Sequence, residues 1–305
     1  MRRYLSFARC PVHACTISNI ILTLQIKAPN MIKKILAGLF LCFSFMQVAY
    51  AQTIKVDGMT LDLFLSGNPS DPTIMYFPGC NGRDTYGAKY QDFHVKKMID
   101  AWGGKVNVVR LQLVNDITNG STDGICFWSV EQSKQTGAES YEFAKKVGYL
   151  ARTWVAKQPW FNGNLHFFGF SYGGRVSLMV NFIAATKNQF KTVTGIWPLC
   201  RKEYPIKANA PHTPTRFYST ENDPVSEIKN CRSFYPEGGG DMIEVVIYPG
   251  SEHSWMTHPD VKFMRVWWPN HKIWSVSKYI EEYAEKTWSS WVNWAKCRDG
   301  SGSCQ

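Results

Sequence analysis

Short apolar runs alternate with amphipathic helical stretches along this chain, and that alternation admits few folds. Strand, helix, strand in repetition argues for a mostly parallel sheet covered by helices on both faces. Thr73 to Phe77 is a continuous apolar run, as in a strand buried on both sides. The spacing of Val95, Met98, Ile99 and Trp102 predicts a helix stopped by Gly103-Gly104, and Val106 to Leu113 reads as the next buried strand. A polar loop, Val114 to Gln132, is too long for a plain connection. A helix from about Ala138 to Lys157 carries Phe143, Val147, Leu150, Ala151 and Trp154 on one face, and Pro159 ends it. Leu165 to Phe170 is a strand, and a helix begins directly after Ser171. Val193 to Pro198, Thr215 to Ser219 and Glu244 to Tyr248 follow as strands. The last helix, about Val276 to Ala295, has Ile280, Tyr283, Trp291 and Trp294 in its stripe. Ahead of all these, Gln52 to Leu65 reads as a hairpin turning at Asp57-Gly58. No repeat or linker divides the chain, so 52–305 reads as one domain.

The first 51 residues read differently. Met31-Ile-Lys-Lys, an apolar run from Ile35 to about Met46, and Ala49-Tyr50-Ala51 are the three parts of a secretory signal peptide. The apolar core is too short to favour a membrane span. Cleavage is expected after Ala51, giving a periplasmic or secreted protein with no stable membrane insertion. Residues 1–30 are expected to come from an upstream start codon, with Met31 the true start; a long n-region is the alternative. The leader holds six Lys and Arg and no Asp or Glu, so the net charge of +10 falls to +4 without it. That is too mild for a nucleic-acid partner, and no basic run with interleaved aromatics occurs. Six cysteines remain: Cys80, Cys126, Cys200, Cys231, Cys297 and Cys304. In an exported chain an even number permits disulfides, though six allow fifteen pairings.

Gly169-Phe170-Ser171-Tyr172-Gly173 carries the chemistry. It matches G-x-S-x-G and lies between a strand and a helix, the context that gives the motif meaning. The turn needs glycines where strand and helix approach closely, and it presents the Ser171 hydroxyl above the sheet. The Tyr172 N–H falls at a helix N-terminus, where a developing oxyanion is favoured. A hydroxyl needs a base, itself held by a third group, in the chain order Ser, Asp or Glu, His. His253 follows a strand in Tyr248-Pro-Gly-Ser-Glu-His253 and is the base candidate. His212 reads as an ordinary loop residue; His258 and His271 lie in a Trp-rich loop. Asp223, also past a strand end, is the preferred acid over Glu221, and the other reading of Asp223 is a cap on a helix starting at Pro224. In Phe77-Pro-Gly-Cys80-Asn-Gly82, the Cys80 N–H is the candidate second oxyanion donor.

On these pieces, Phe77 to Gly82, Gly169 to Gly174, Asp223-Pro224 and Tyr248 to His253, the chain resembles the dienelactone hydrolase family of α/β hydrolases, in its exported, serine-nucleophile branch. The resemblance implies an eight-stranded, mostly parallel sheet and hydrolysis of small esters or lactones through an acyl-enzyme. By position it carries the triad to Ser171, Asp223 and His253. The chain departs from the family's pattern at Pro78-Gly79, where members often have His-Gly, and at Ser171, where the namesake enzymes use Cys. The aromatic stretch Trp255 to Trp274 is read two ways, as a roof over the pocket or as packing for the last helix. A non-catalytic binding module, an acyltransferase and a polyester depolymerase are the other readings of the same residues. No metal spacing, phosphate loop or dinucleotide fingerprint is present, so no cofactor is expected. Cys80 and Cys126 are expected to pair because both loops leave the sheet at one edge; Cys200–Cys231 and Cys297–Cys304 would follow, and a free Cys80 is the rival arrangement.

Overall fold

The computed structural model describes residues 50–79, 85–112, 130–198, 212–224, 242–253, 255–260, 264–268 and 273–304. The leader before Tyr50, the loop at 113–129, Cys80, Cys126, Cys200, Cys231, His271 and the segment 225–241 lie outside the described residues.

The hairpin forms as its turn requires. Strands β1 (Tyr50–Val56) and β2 (Met59–Leu65) pair antiparallel, with Val56 opposite Met59. The two turn residues, Asp57 (φ 49°) and Gly58 (φ 80°), both take the left-handed region that a two-residue hairpin turn needs. β1 starts two residues before the expected cleavage point; cutting after Ala51 would remove its first two pairs, Tyr50 with Leu65 and Ala51 with Phe64.

Next come β3 (Thr73–Phe77), α1 (Thr85–Ala101), β4 (Asn107–Leu111), α2 (Val130–Thr153), β5 (Leu165–Phe170), α3 (Tyr172–Phe182) and β6 (Thr192–Ile196). They are followed by β7 (Thr215–Thr220), β8 (Ile243–Tyr248), β9 (Met264–Trp268), β10 (Ile273–Ser277) and α4 (Glu281–Asp299). Eight strands form one sheet in the order β1-β2-β4-β3-β5-β6-β7-β8. β2 runs antiparallel to both neighbours, and every pair from β4 to β8 is parallel. This is the mostly parallel, helix-covered sheet that the alternation predicts, with the eight strands that the resemblance to α/β hydrolases implies.

Alternate side chains of the central strands enter two cores. Met75, Phe77, Val109 and Phe167 meet Phe143, Val147 and Leu150 of α2 and Val176, Met179 and Val180 of α3. Ile74, Tyr76, Val108, Phe168 and Phe170 meet Val95 and Met98 of α1, Trp102 just past its end, and Trp288, Trp291 and Trp294 of α4. An aromatic ring buries roughly 200 Å², about 5 kcal/mol at 25 cal/mol/Å² before ordering costs, so the tryptophans weld α4 to the sheet.

Several boundaries differ from the sequence reading. α2 begins at Val130, not near Ala138, so the preceding loop loses its last three residues. The stretch before Ser140 has no apolar stripe to announce a helix, but its Glu, Gln, Lys and Ala propagate one readily. β4 stops at Leu111 and β6 at Ile196, where Trp197 turns to φ 49°. The last helix starts at Glu281 rather than Val276, because Val276 belongs to β10. Glu281 and Glu282 open α4 and Lys296 and Arg298 close it, each suited to the helix dipole. The stretch with no legible structure in sequence holds the antiparallel pair β9–β10, with Trp267 opposite Trp274. Trp255 itself packs beside the last helix, 5.0 Å from the Tyr248 ring and 6.2 Å from that of Tyr283.

Candidate active site

Between β3 and β5 the chain reverses its direction of travel across the sheet, since β4 lies on one side of β3 and all later parallel strands on the other. Ligands bind outside the carboxyl ends of strands at such a switch point. Those two ends hold Pro78-Gly79 and Ser171. A Cβ placed on Gly79 would lie 3.6 Å from the Ser171 Cβ, so the two loops touch.

The elbow is as tight as its glycines imply. A Cβ on Gly169 would fall 2.0 Å from the Gly173 oxygen, and one on Gly173 would fall 2.1 Å from the Phe77 oxygen. Neither backbone can retreat, so only glycine fits. Between them Ser171 stands at φ 50°, ψ −106°. That strain is held by the Ser171 N–H donating to the Ile196 oxygen at 2.7 Å and by the Arg175 N–H donating to the Ser171 oxygen at 3.0 Å.

Three residues from three loops converge on one line. His253 Nδ1 and Asp223 Oδ2 are 2.7 Å apart, and His253 Nε2 and Ser171 Oγ are 3.2 Å apart. Asp223 is a carboxylate that only accepts, so Nδ1 carries the proton; in the neutral ring Nε2 is then an acceptor for the Ser171 hydroxyl. Asp223 and His253 are 5% and 1% exposed, whereas Ser171 at 8% keeps some access. The loops are fixed by backbone ties: Glu221 N–H to the Tyr248 oxygen (3.1 Å) and Thr220 Oγ1 to the Glu252 oxygen (3.4 Å). Trp197, at its left-handed φ, lays its ring 5.4 Å from the His253 ring.

Glu221, His212 and His258 stand elsewhere. Glu221 is exposed. His212 is engaged at the far end of α3, with Nε2 3.0 Å from the Ile183 oxygen. His258 packs 4.9 Å from the Phe93 ring. Tyr172 heads α3, its ring buried and its hydroxyl 3.3 Å from Ser140 Oγ. Cys80 lies outside the described residues. Cys297 and Cys304 sit together as expected, their Cα atoms 4.8 Å apart, within the span a disulfide bridges. Among the described residues no three His, Cys, Asp or Glu could hold a metal, and no helix is long and apolar enough to cross a membrane.

One residue escapes a reading of the sequence. His94 is 4% exposed and lies in the helical stripe of Val95 and Met98, whose apolar members alone mark it in sequence. Its ring stacks on Phe170, the neighbour of Ser171, at 3.8 Å and 7°.

No family model matches the sequence. No curated protein matches it either. Solved structures do. A protein described as a dienelactone hydrolase from Klebsiella pneumoniae superposes with a TM-score of 0.59 at 14% identity, over 81% of this chain and 98% of that one. A dienelactone hydrolase-like promiscuous phosphotriesterase from metagenomic libraries gives 0.57 at 13%, over 81% and 97%. Esterase 2 of Thermogutta terrifontis, phosphorylated by paraoxon, gives 0.51 at 12%, over 85% and 97%. Similarity this distant is similarity of fold.

Proposed function

We propose that this chain is a serine hydrolase of the dienelactone hydrolase type, cleaving small carboxylic esters or lactones through an acyl-enzyme. The observation that carries the reading is the aligned Ser171, His253 and Asp223, with Ser171 strained at a strand-to-helix turn. Neighbours of the same fold that are described as esterases support it.

In this mechanism Ser171 Oγ attacks the ester carbonyl as its proton passes to His253 Nε2. Asp223 holds the imidazole with Nδ1–H toward itself and stabilises the imidazolium that forms. The negative charge on the carbonyl oxygen meets the Tyr172 N–H at the start of α3, where the helix dipole favours it, together with the Cys80 N–H. Collapse expels the alcohol, which takes the proton from His253. Water, deprotonated by the same nitrogen, then releases the acid. We also propose that the leader exports the protein and that Cys297 and Cys304 are bonded there, where thiols oxidise readily.

A fluorophosphonate probe tests the reading. Wild type should be labelled and should hydrolyse a chain-length series of nitrophenyl esters. Ser171→Ala should keep the fold and lose the label; equal labelling of both would refute the assignment. Weak residual hydrolysis in Ser171→Ala is expected, because binding and oxyanion donors remain.

A further inference from the structure

The loop that carries His253 is pinned from two sides. The Ile280 N–H, ahead of α4, donates to the Trp255 oxygen at 2.9 Å. From α1, His94 Nε2 meets the Met256 oxygen at 3.0 Å, and His94 Nδ1 meets the Tyr76 hydroxyl at 3.0 Å. Proton positions follow from the partners. A carbonyl oxygen only accepts, so His94 Nε2 carries a proton. Burial disfavours the charged ring and pushes its pKa down to about 3. The ring is therefore neutral near pH 7, Nδ1 accepts, and the Tyr76 O–H donates to it. Both nitrogens are satisfied in one tautomer. The face of the same ring lies flat on Phe170.

From this geometry we infer that His94 is a positioning residue, tying the strand that delivers Ser171 to the loop that delivers His253, through its bond to the Met256 carbonyl. The inference rests on the Ser171–His253–Asp223 reading. His94 acts at one remove from Ser171: its Nε2–H fixes the backbone three residues beyond His253, and its ring face braces the residue before Ser171. The Ser171–His253 spacing of 3.2 Å is the quantity it would govern. A misplacement of about 1 Å at such a pair can lower turnover on the order of 100-fold.

Two substitutions of like polarity separate the bond from the packing. In His94→Gln the amide nitrogen reaches the place of Nε2 and can donate to the Met256 oxygen. In His94→Asn the amide reaches only the place of Nδ1, keeping Tyr76 and losing Met256. With p-nitrophenyl butyrate as substrate, His94→Asn should lower kcat about tenfold to a hundredfold with little change in KM, because binding survives while alignment does not. His94→Gln should recover most of the loss. Thermal melts check that both fold. If His94→Asn does not, His94→Phe, which keeps a stacking ring and loses both bonds, takes its place with the same expectation. A wild-type kcat in His94→Asn, or equal losses in the two amide variants, overturns the role of the Met256 bond while leaving Ser171 in place. If folded wild type neither hydrolyses the ester nor takes the fluorophosphonate label, the triad reading fails, and the positioning role fails with it.

Discussion

At the scale of single residues, exposure sets apart two acids that sequence places side by side. Asp223 and Glu221 are two positions apart in one loop, both past the end of β7. The structure buries Asp223 against His253 at 2.7 Å and leaves Glu221 exposed. An acid that orients a base has to hold one tautomer, and an amide in its place favours the other. Asp223→Asn should therefore reduce kcat by about 10⁴ with the fold intact, while Glu221→Gln should leave turnover unchanged. Steady-state kinetics on a nitrophenyl ester decide between them, and the reverse pattern would move the role to Glu221. Ser171 and His253 were legible as candidates because their neighbours announce them, a glycine-flanked turn and a strand-terminal loop. His94 was not, because a histidine inside an apolar helical stripe carries no local mark; only the distant partners Met256 and Tyr76 give it meaning.

At the scale of elements, the elbow depends on the contact of three backbones. Strand β5, helix α3 and the end of β3 meet where Gly169 and Gly173 leave no room for a methyl group. Gly173→Ala would set a Cβ against the Phe77 oxygen, and neither partner is the flexible end of a side chain. A loss of roughly 3 kcal/mol is expected, at the upper end for overpacking, and urea denaturation would measure it. Gly79→Ala is the contrast. Its Cβ meets Ser171 Cβ at 3.6 Å, an ordinary contact, so stability should change by less than about 1 kcal/mol. Strands buried on both faces, such as β3 and β5, were legible nearly to the residue because continuous apolar runs end sharply. The start of α2 and the pair β9–β10 were not. Neither shows a periodic stripe, and pairing such as Trp267 with Trp274 depends on which strands meet rather than on local preference.

At the scale of the whole molecule, pH couples to stability through groups held away from their ordinary protonation. Burial is the main force lowering His94 to about 3, and it also lowers His212 and His258, with Lys187 and Lys89 adding to it respectively. For Asp62 and Asp299 burial works upward but is outweighed, for Asp62 by hydrogen bonds from Thr53 and Gln112 and the Arg110 guanidinium, for Asp299 by hydrogen bonds with His166 and Ser301, so both are lowered. In every case the folded state releases its proton more easily than the unfolded chain. Stability contributed by such a group is complete above its unfolded pKa and is lost as pH falls toward the folded one. The histidines start that loss at about 6.5, above the carboxylate range. His94 should weaken the folded state by up to about tenfold in the folding equilibrium for each pH unit below about 6.5, until its folded value is reached. The free energy of unfolding, from urea titrations at intervals between pH 8 and pH 4, should hold level above pH 7 and decline steadily below 6.5. In His94→Gln, which has nothing to titrate there, the decline should be shallower by as much as His94 supplied. Parallel curves for the two proteins would mean that His94 takes up its proton without opening the structure around it.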